Sequence, residues 1–195
     1  MRVRAKTELR GPRPVRPGTQ KPQRAEIDAM IRVDHAGEFG ALRIYEGQLA
    51  VLAQHPGAGE NVRSIRRMAA QEQKHFDWFD RMVKERAVRP TALEPVWRAV
   101  GFALGAATAL MGEKAAMACT VAVEDVIDEH YARQIERLGA DEPELKTAIQ
   151  KFHAEECAHR DEALERGARE TAGYALLSGA IRFSCRVAIV LSERL

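Results

Sequence analysis

Cysteine is scarce in this 195-residue chain: Cys119, Cys157 and Cys185 stand far apart and form no CxxC pair. A disulfide framework and a zinc cluster of paired thiolates are thereby excluded, and scattered thiols of this kind suit a reducing compartment as small buried hydrophobes. Strand signals are missing as well. No stretch alternates with period two and β-branched bias for long enough to form a strand. No GxGxxG occurs, so the chain builds no dinucleotide-binding domain of its own. Residues 1–24 lack the apolar core of a secretory signal, and none is expected. Acidic and basic residues nearly cancel, at a net charge of +2.

That near-zero charge hides an asymmetry. Residues 1–24 carry eight basic residues against the single acid Glu8, so the rest of the chain is acidic at −5. An acidic body argues against a nucleic-acid platform, where a basic face is the expected footprint. The basic segment also holds Pro12, Pro14, Pro17 and Pro22 with Gly11 and Gly18, which predicts a flexible arm over residues 1–25. Its arginines match a mitochondrial transit peptide, whereas its four prolines would interrupt the amphipathic helix such a peptide needs. From residue 26 to 195, hydrophobic content of 46% and charge of 30% over the chain predict one folded domain, soluble or bound to a surface.

Past residue 25 the periodicity is helical almost throughout. Breaks at HPGAG (55–59), VRPTALEP (88–95), GADEP (139–143) and between Gly167 and Gly173 divide it into helices near 26–54, 60–87, 95–111, 113–138, 143–167 and 172–192. Four of them carry an apolar seam in steps of three and four. The first runs Ile31, His35, Glu38, Leu42, Tyr45; the second Ile65, Ala69, Glu72, Phe76, Phe79, with His75 on the same face. The fourth runs Val121, Glu124, Ile127, Tyr131, and the fifth Ile149, Phe152, Glu156, His159, Ala163. Each seam has a glutamate at its middle, where a charged group does not belong.

A single Glu-x-x-His is a weak signal. Here there are two, and each follows a lone seam glutamate at a similar interval: Glu72 comes 34 residues after Glu38, and Glu156 comes 32 after Glu124. Each interval has a turn near its midpoint. In an antiparallel helical hairpin rising about 1.5 Å per residue, both members of each pair therefore sit at similar height. The chain reads as a twofold repeat of one metal-binding hairpin, bringing four carboxylates and two imidazoles together at mid-bundle. That is the donor inventory of ferritin-like dimetal carboxylate proteins. The predicted fold is all-α: a ferritin-like four-helix bundle with two additional apolar helices, one near 95–111 and one C-terminal.

Charge accounting gives the reason for the buried acids. Four ionised glutamates without partners in a dry core would cost more than a domain's whole stability. Two divalent cations neutralise them. Mixed oxygen and nitrogen donors without thiolate suit iron or manganese, and open positions for oxygen chemistry favour iron.

Beyond the metal motif, the strings RVDHAGE (32–38), FALGAATALMGEKAAMACTVAVE (102–124), HY (130–131) and CRVAIVLSERL (185–195) closely resemble the demethoxyubiquinone hydroxylase family. The resemblance covers residues 26–195; the basic arm has no counterpart. It implies a di-iron monooxygenase, bound peripherally to a membrane, that hydroxylates the ring of a polyprenylated demethoxyquinol with O₂ in ubiquinone biosynthesis. It also implies Glu38 and His75 as terminal ligands of one iron, Glu124 and His159 as those of the other, and Glu72 and Glu156 as bridges. An external reductant, NADH or a quinol, is expected, as are a homo-oligomer or a lipid-presenting partner. The implied location is the cytoplasmic face of a bacterial inner membrane or the matrix side of the mitochondrial one. Phe39, where many relatives have tyrosine, departs from the family pattern outside the ligand set.

A lipid substrate has separate support. Residues 99–112 form a 14-residue run without charge, too short to span a bilayer and suited to an interfacial or re-entrant helix. Burial of that helix and the last one against the bundle, or against a partner subunit, is the other reading. Tyr131, two turns beyond Glu124, and the adjacent His130 are candidates for an electron or proton relay; a packed core tyrosine fits the same pattern. Asp34 and Asp128, each four residues from a ligand glutamate, are candidates to orient a ligating imidazole. An iron-storage cage and a metal-stabilised scaffold are the rival functions, and the apolar run speaks against the cage.

Overall fold

Every apolar seam becomes a helix in the computed structural model, which describes residues 22–54 and 59–195. Residues 1–21 of the expected basic arm and most of the HPGAG turn lie outside the described residues, while Arg24 and Ala25, counted with the arm, already belong to the first helix. The helices are α1 (Arg24–Leu52), α2 (Gly59–Glu85), α3 (Glu94–Leu110), α4 (Glu113–Leu138), α5 (Pro143–Glu165) and α6 (Tyr174–Arg194). The described residues are all-α, with a single 3₁₀ turn at Ala168–Glu170 between Gly167 and Gly173, whose φ angles of 83° and 70° fall where glycine is favoured. Pro143 opens α5 and Pro95 the first turn of α3, positions where the missing amide proton costs nothing.

Helices α1, α2, α4 and α5 form the bundle, and their directions follow from two apolar clusters. One cluster joins Tyr45 and Leu52 of α1, Ile65 and Met68 of α2, Met117 and Val121 of α4, and Ala163 of α5. The other joins Ile31 of α1, Phe79 and Met82 of α2, Tyr131 and Leu138 of α4, and Ile149 and Phe152 of α5. Fully burying side chains of this size contributes about 1.5–3 kcal/mol each. Between the clusters, in every helix, falls the seam glutamate.

Helices α2 and α4 therefore run in the same direction, and the chain has to travel the length of the bundle between them. Helix α3 makes that return, packed lengthwise on α1. Glycine permits the approach: a Cβ on Gly105 would stand 1.9 Å from Ile44 O, and one on Gly47 would stand 2.1 Å from Phe102 O. The small residues of the 99–112 run thus serve helix-to-helix contact on one face. Helix α6 lies along α4 and also touches α1. Arg182 reaches Asp125 at 3.0 Å, Arg186 reaches Glu129 at 3.1 Å, and Trp97 Nε1 of α3 donates to Ser192 Oγ at 3.1 Å.

The outer faces of α3 and α6 stay uncovered. Among the described residues, the exposed large apolar side chains are those from Val96 to Met111 and from Leu176 to Leu195, including Phe102, Leu110 and Phe183. By length and composition α6 alone among the described helices is apolar enough to cross a membrane.

Candidate metal centre

Six side chains meet in the layer between the two apolar clusters. Glu38 comes from α1, Glu72 and His75 from α2, Glu124 from α4, and Glu156 and His159 from α5; none is more than 5% exposed. The i, i+3 spacing on α2 and α5 puts each carboxylate and imidazole on one face. Ligand atoms of Glu38, Glu72, His75 and Glu156 lie within 4.8 Å of one another, and so do those of Glu72, Glu124, Glu156 and His159. Glu72 and Glu156 belong to both groups.

Both imidazoles point Nδ1 inward. His75 Nδ1 lies 2.8 Å from Glu156, 3.6 Å from Glu38 and 3.7 Å from Glu72. His159 Nδ1 lies 3.0 Å from Glu156 and 3.1 Å from Glu72. Their Nε2 atoms are held from outside, His75 by Glu155 at 2.6 Å and His159 by Gln71 at 3.1 Å. Outer partners of this kind fix the ring and leave the inner nitrogen free to coordinate.

The fit to cations can be tested on the protein itself. Glu72 Oε1, His75 Nδ1 and Glu156 Oε1 are buried and close on one another and on His159, without the alignment of a hydrogen bond, although buried polar atoms in folded cores are nearly always bonded. Burial, with Glu72 beside it, pushes Glu38 up to about 7 despite the neighbouring His75. Burial and the charges of Glu156 and Glu72 push Glu124 well above the carboxylate range. Burial opposes charge on His159, yet Glu156 and Glu72 raise it to about 9, and His75 rises for the same reason. The cluster demands positive charge at its centre. Four carboxylates and two imidazoles, with no thiolate, fit two divalent first-row cations.

Two tyrosines complete the layer. Tyr131 donates its hydroxyl to Glu38, and Tyr45 donates to Glu124 at 3.3 Å. Tyr45 was legible only as a seam residue, although it stands seven places beyond Glu38 as Tyr131 stands seven beyond Glu124; the repeat itself was the signal. His130 makes no hydrogen bond to the seam glutamates. It contacts Asp34 at 3.1 Å and Gln134 at 2.9 Å, in the wall between a small cavity at the glutamates, of about 40 Å³, and an outer recess of about 690 Å³. Asp34 and Asp128 orient neither inner imidazole. They pair with His130 and His153, because each faces a neighbouring helix away from α2 Glu72–His75 and the inner face of α5. Glu155 and Gln71 do that work, and neither stood out in the sequence.

A helical bundle enclosing four carboxylates and two histidines in this arrangement has the donor set of dimetal carboxylate proteins. The profile of the family described as "Ubiquinone biosynthesis protein COQ7" matches residues 25–192, and the chain belongs to that family. It is 52% identical over 178 residues, 91% of this chain and 82% of the relative, to the "3-demethoxyubiquinol 3-hydroxylase" of Rhodospirillum rubrum. It is 49% identical over 176 residues, 88% of this chain and 79% of the relative, to the human "NADPH-dependent 3-demethoxyubiquinone 3-hydroxylase, mitochondrial". The Saccharomyces cerevisiae "5-demethoxyubiquinone hydroxylase, mitochondrial" is 39% identical over 188 residues, 89% of this chain and 80% of the relative.

Proposed function

We propose that this chain hydroxylates the ring of a polyprenylated demethoxyquinol with O₂ in ubiquinone biosynthesis, using two iron ions. The observation that carries the reading is the shared placement of Glu72 and Glu156 between two four-residue ligand groups. Glu38 and His75 would hold one ion, Glu124 and His159 the other, with Glu72 and Glu156 bridging. Bound iron supplies the activation of O₂ that no side chain can provide. One oxygen atom would be inserted into a ring C–H bond and the other would leave as water, with two electrons from an external reductant and two protons.

The chain's own residues do the rest. Tyr45 and Tyr131 hold the lone glutamates in place, and Glu155 and Gln71 hold the imidazoles. Val33, Val123, Ile127 and Ile189 give the inner cavity a dry wall that keeps bulk water from the reacting ring. His130, between the inner cavity and the outer recess, would pass protons together with Asp34. The outer recess is lined by Arg133, Arg137, Arg186 and Arg194. Glu26 and Glu193 line it as well, with Arg137 paired to Glu26 and Arg186 to Glu129; the external reductant would be NADH or a quinol.

The exposed apolar faces of α3 and α6 would lie on a membrane, where a polyprenyl substrate resides. The ion pairs of Arg182 and Arg186 to α4 favour α6 lying on the bilayer over crossing it. Residues 26–195 would act as one domain, which the chain enters through the start of α1 at Arg24. The test is turnover of a demethoxyquinol in lipid vesicles under ¹⁸O₂. One labelled oxygen in the product ring is expected; label arriving from water, or no product from the iron-loaded protein, would overturn the reading.

A further inference from the structure

The stretch that supplies Glu156 and His159 to the core carries a second set of donors on its other side. In FHAEECAH (152–159), His153 and Cys157 stand one turn apart and point outward, half-buried, while Phe152, Glu156 and His159 face in. Residues four apart on a helix are neighbours on its surface. Asp128 of α4 meets them there: His153 Nε2 lies 2.6 Å from Asp128 Oδ1, and ligand atoms of Asp128, His153 and Cys157 lie within 4.8 Å of one another. Among the described residues this is the one such group outside the core layer.

We propose that Asp128, His153 and Cys157 form a separate binding site for a single thiophilic divalent cation of the zinc class. The donor set decides the class. A thiolate, an imidazole and a carboxylate are first choices for zinc, and three protein ligands leave a fourth position for water. Bond lengths of 2.0–2.3 Å place tetrahedral donors roughly 3.3–3.8 Å apart. Sub-ångström to ångström adjustments of half-exposed side chains bring this group to that spacing. Arg160 donates to the other oxygen of Asp128 at 2.5 Å and fixes the carboxylate with Oδ1 toward His153. The thiol is what separates this site from the core, whose donors are all oxygen and nitrogen. A cation here ties α4 to α5, the helices that carry Glu124, Glu156 and His159.

Cobalt(II) reads the site directly, because only a thiolate ligand gives a sulfur-to-cobalt charge-transfer band in the near ultraviolet. The iron-loaded protein, kept anaerobic in its ferrous state, is titrated with cobalt. One equivalent should bring up the band in wild type, and Cys157→Ser and His153→Gln should abolish it with the core iron retained. In wild type, zinc should shield Cys157 from alkylation by iodoacetamide, followed on the peptide that contains it. No band in wild type, the same band in Cys157→Ser, or alkylation of Cys157 indifferent to zinc would each overturn the proposal. None of these readouts depends on hydroxylation.

Discussion

Tyr45 and Tyr131 are crossed: each stands seven residues beyond the lone glutamate of its own helix and donates its hydroxyl to the glutamate of the other. Tyr45 of α1 serves Glu124 of α4 at 3.3 Å, and Tyr131 of α4 serves Glu38 of α1. Burial and the nearby carboxylates raise both phenols well above their ordinary range, so both remain donors. The twofold repeat of the sequence is thus a twofold repeat of the centre.

Removing one hydroxyl should therefore weaken one half of the centre. Tyr131→Phe is expected to loosen the ion at Glu38 and His75, and Tyr45→Phe the ion at Glu124 and His159, each by roughly 10–100-fold in affinity. Calorimetric metal titration checks this: each variant should keep one tight site and lose the other. Equal weakening of both sites would contradict the crossed arrangement.

The outer partners of the imidazoles should matter to a similar degree. Glu155→Ala frees His75 Nε2, and Gln71→Ala frees His159 Nε2. Metal affinity is expected to fall about 10–100-fold with little change in helical content. Iron content after dialysis and circular dichroism together give the answer.

Sequence pattern carried much of this. Six helices were legible because turn residues punctuate a helical periodicity, and the six core donors because a glutamate stands at the middle of each of four apolar seams. Glu155 and Gln71 were not legible: which outer residue meets a ring nitrogen depends on how neighbouring helices rotate against each other. Asp34 and Asp128 show the same limit, since a four-residue offset from a ligand fixes height along a helix but not the helix it faces. The return path of α3 was implicit in the order of the glutamates and became plain only with the helix directions.

Helix α3 is seated through glycine, so Gly105→Ala should destabilise the fold. The added Cβ would stand 1.9 Å from Ile44 O, and backbone must shift to admit it. A loss of about 1–3 kcal/mol is expected from forced overpacking. Thermal unfolding measures it; an unchanged midpoint would show that α3 does not sit where the structure puts it.

Acid should loosen the α2–α5 contact at Glu162. Burial raises this carboxyl, but Arg67, Ser64 at 2.5 Å and Arg166 at 3.0 Å outweigh it and lower the group from 4.5 to about 2. A depressed folded value means stabilisation that is present above pH 4.5 and lost as pH falls toward 2. Because solvent screens this partly exposed cluster, the contribution is about 1 kcal/mol. Glu162→Gln should therefore lower the unfolding midpoint at pH 7 and bring it close to wild type near pH 2–3.

Metal stoichiometry is the most direct test of the central claim. The protein, stripped by chelator and titrated anaerobically with ferrous iron, should bind two ions per chain with a matching rise in unfolding temperature. Glu156→Ala, which removes a carboxylate common to both ligand groups, should lose both. Saturation at one ion per chain, or two ions still bound tightly by Glu156→Ala, would contradict the account.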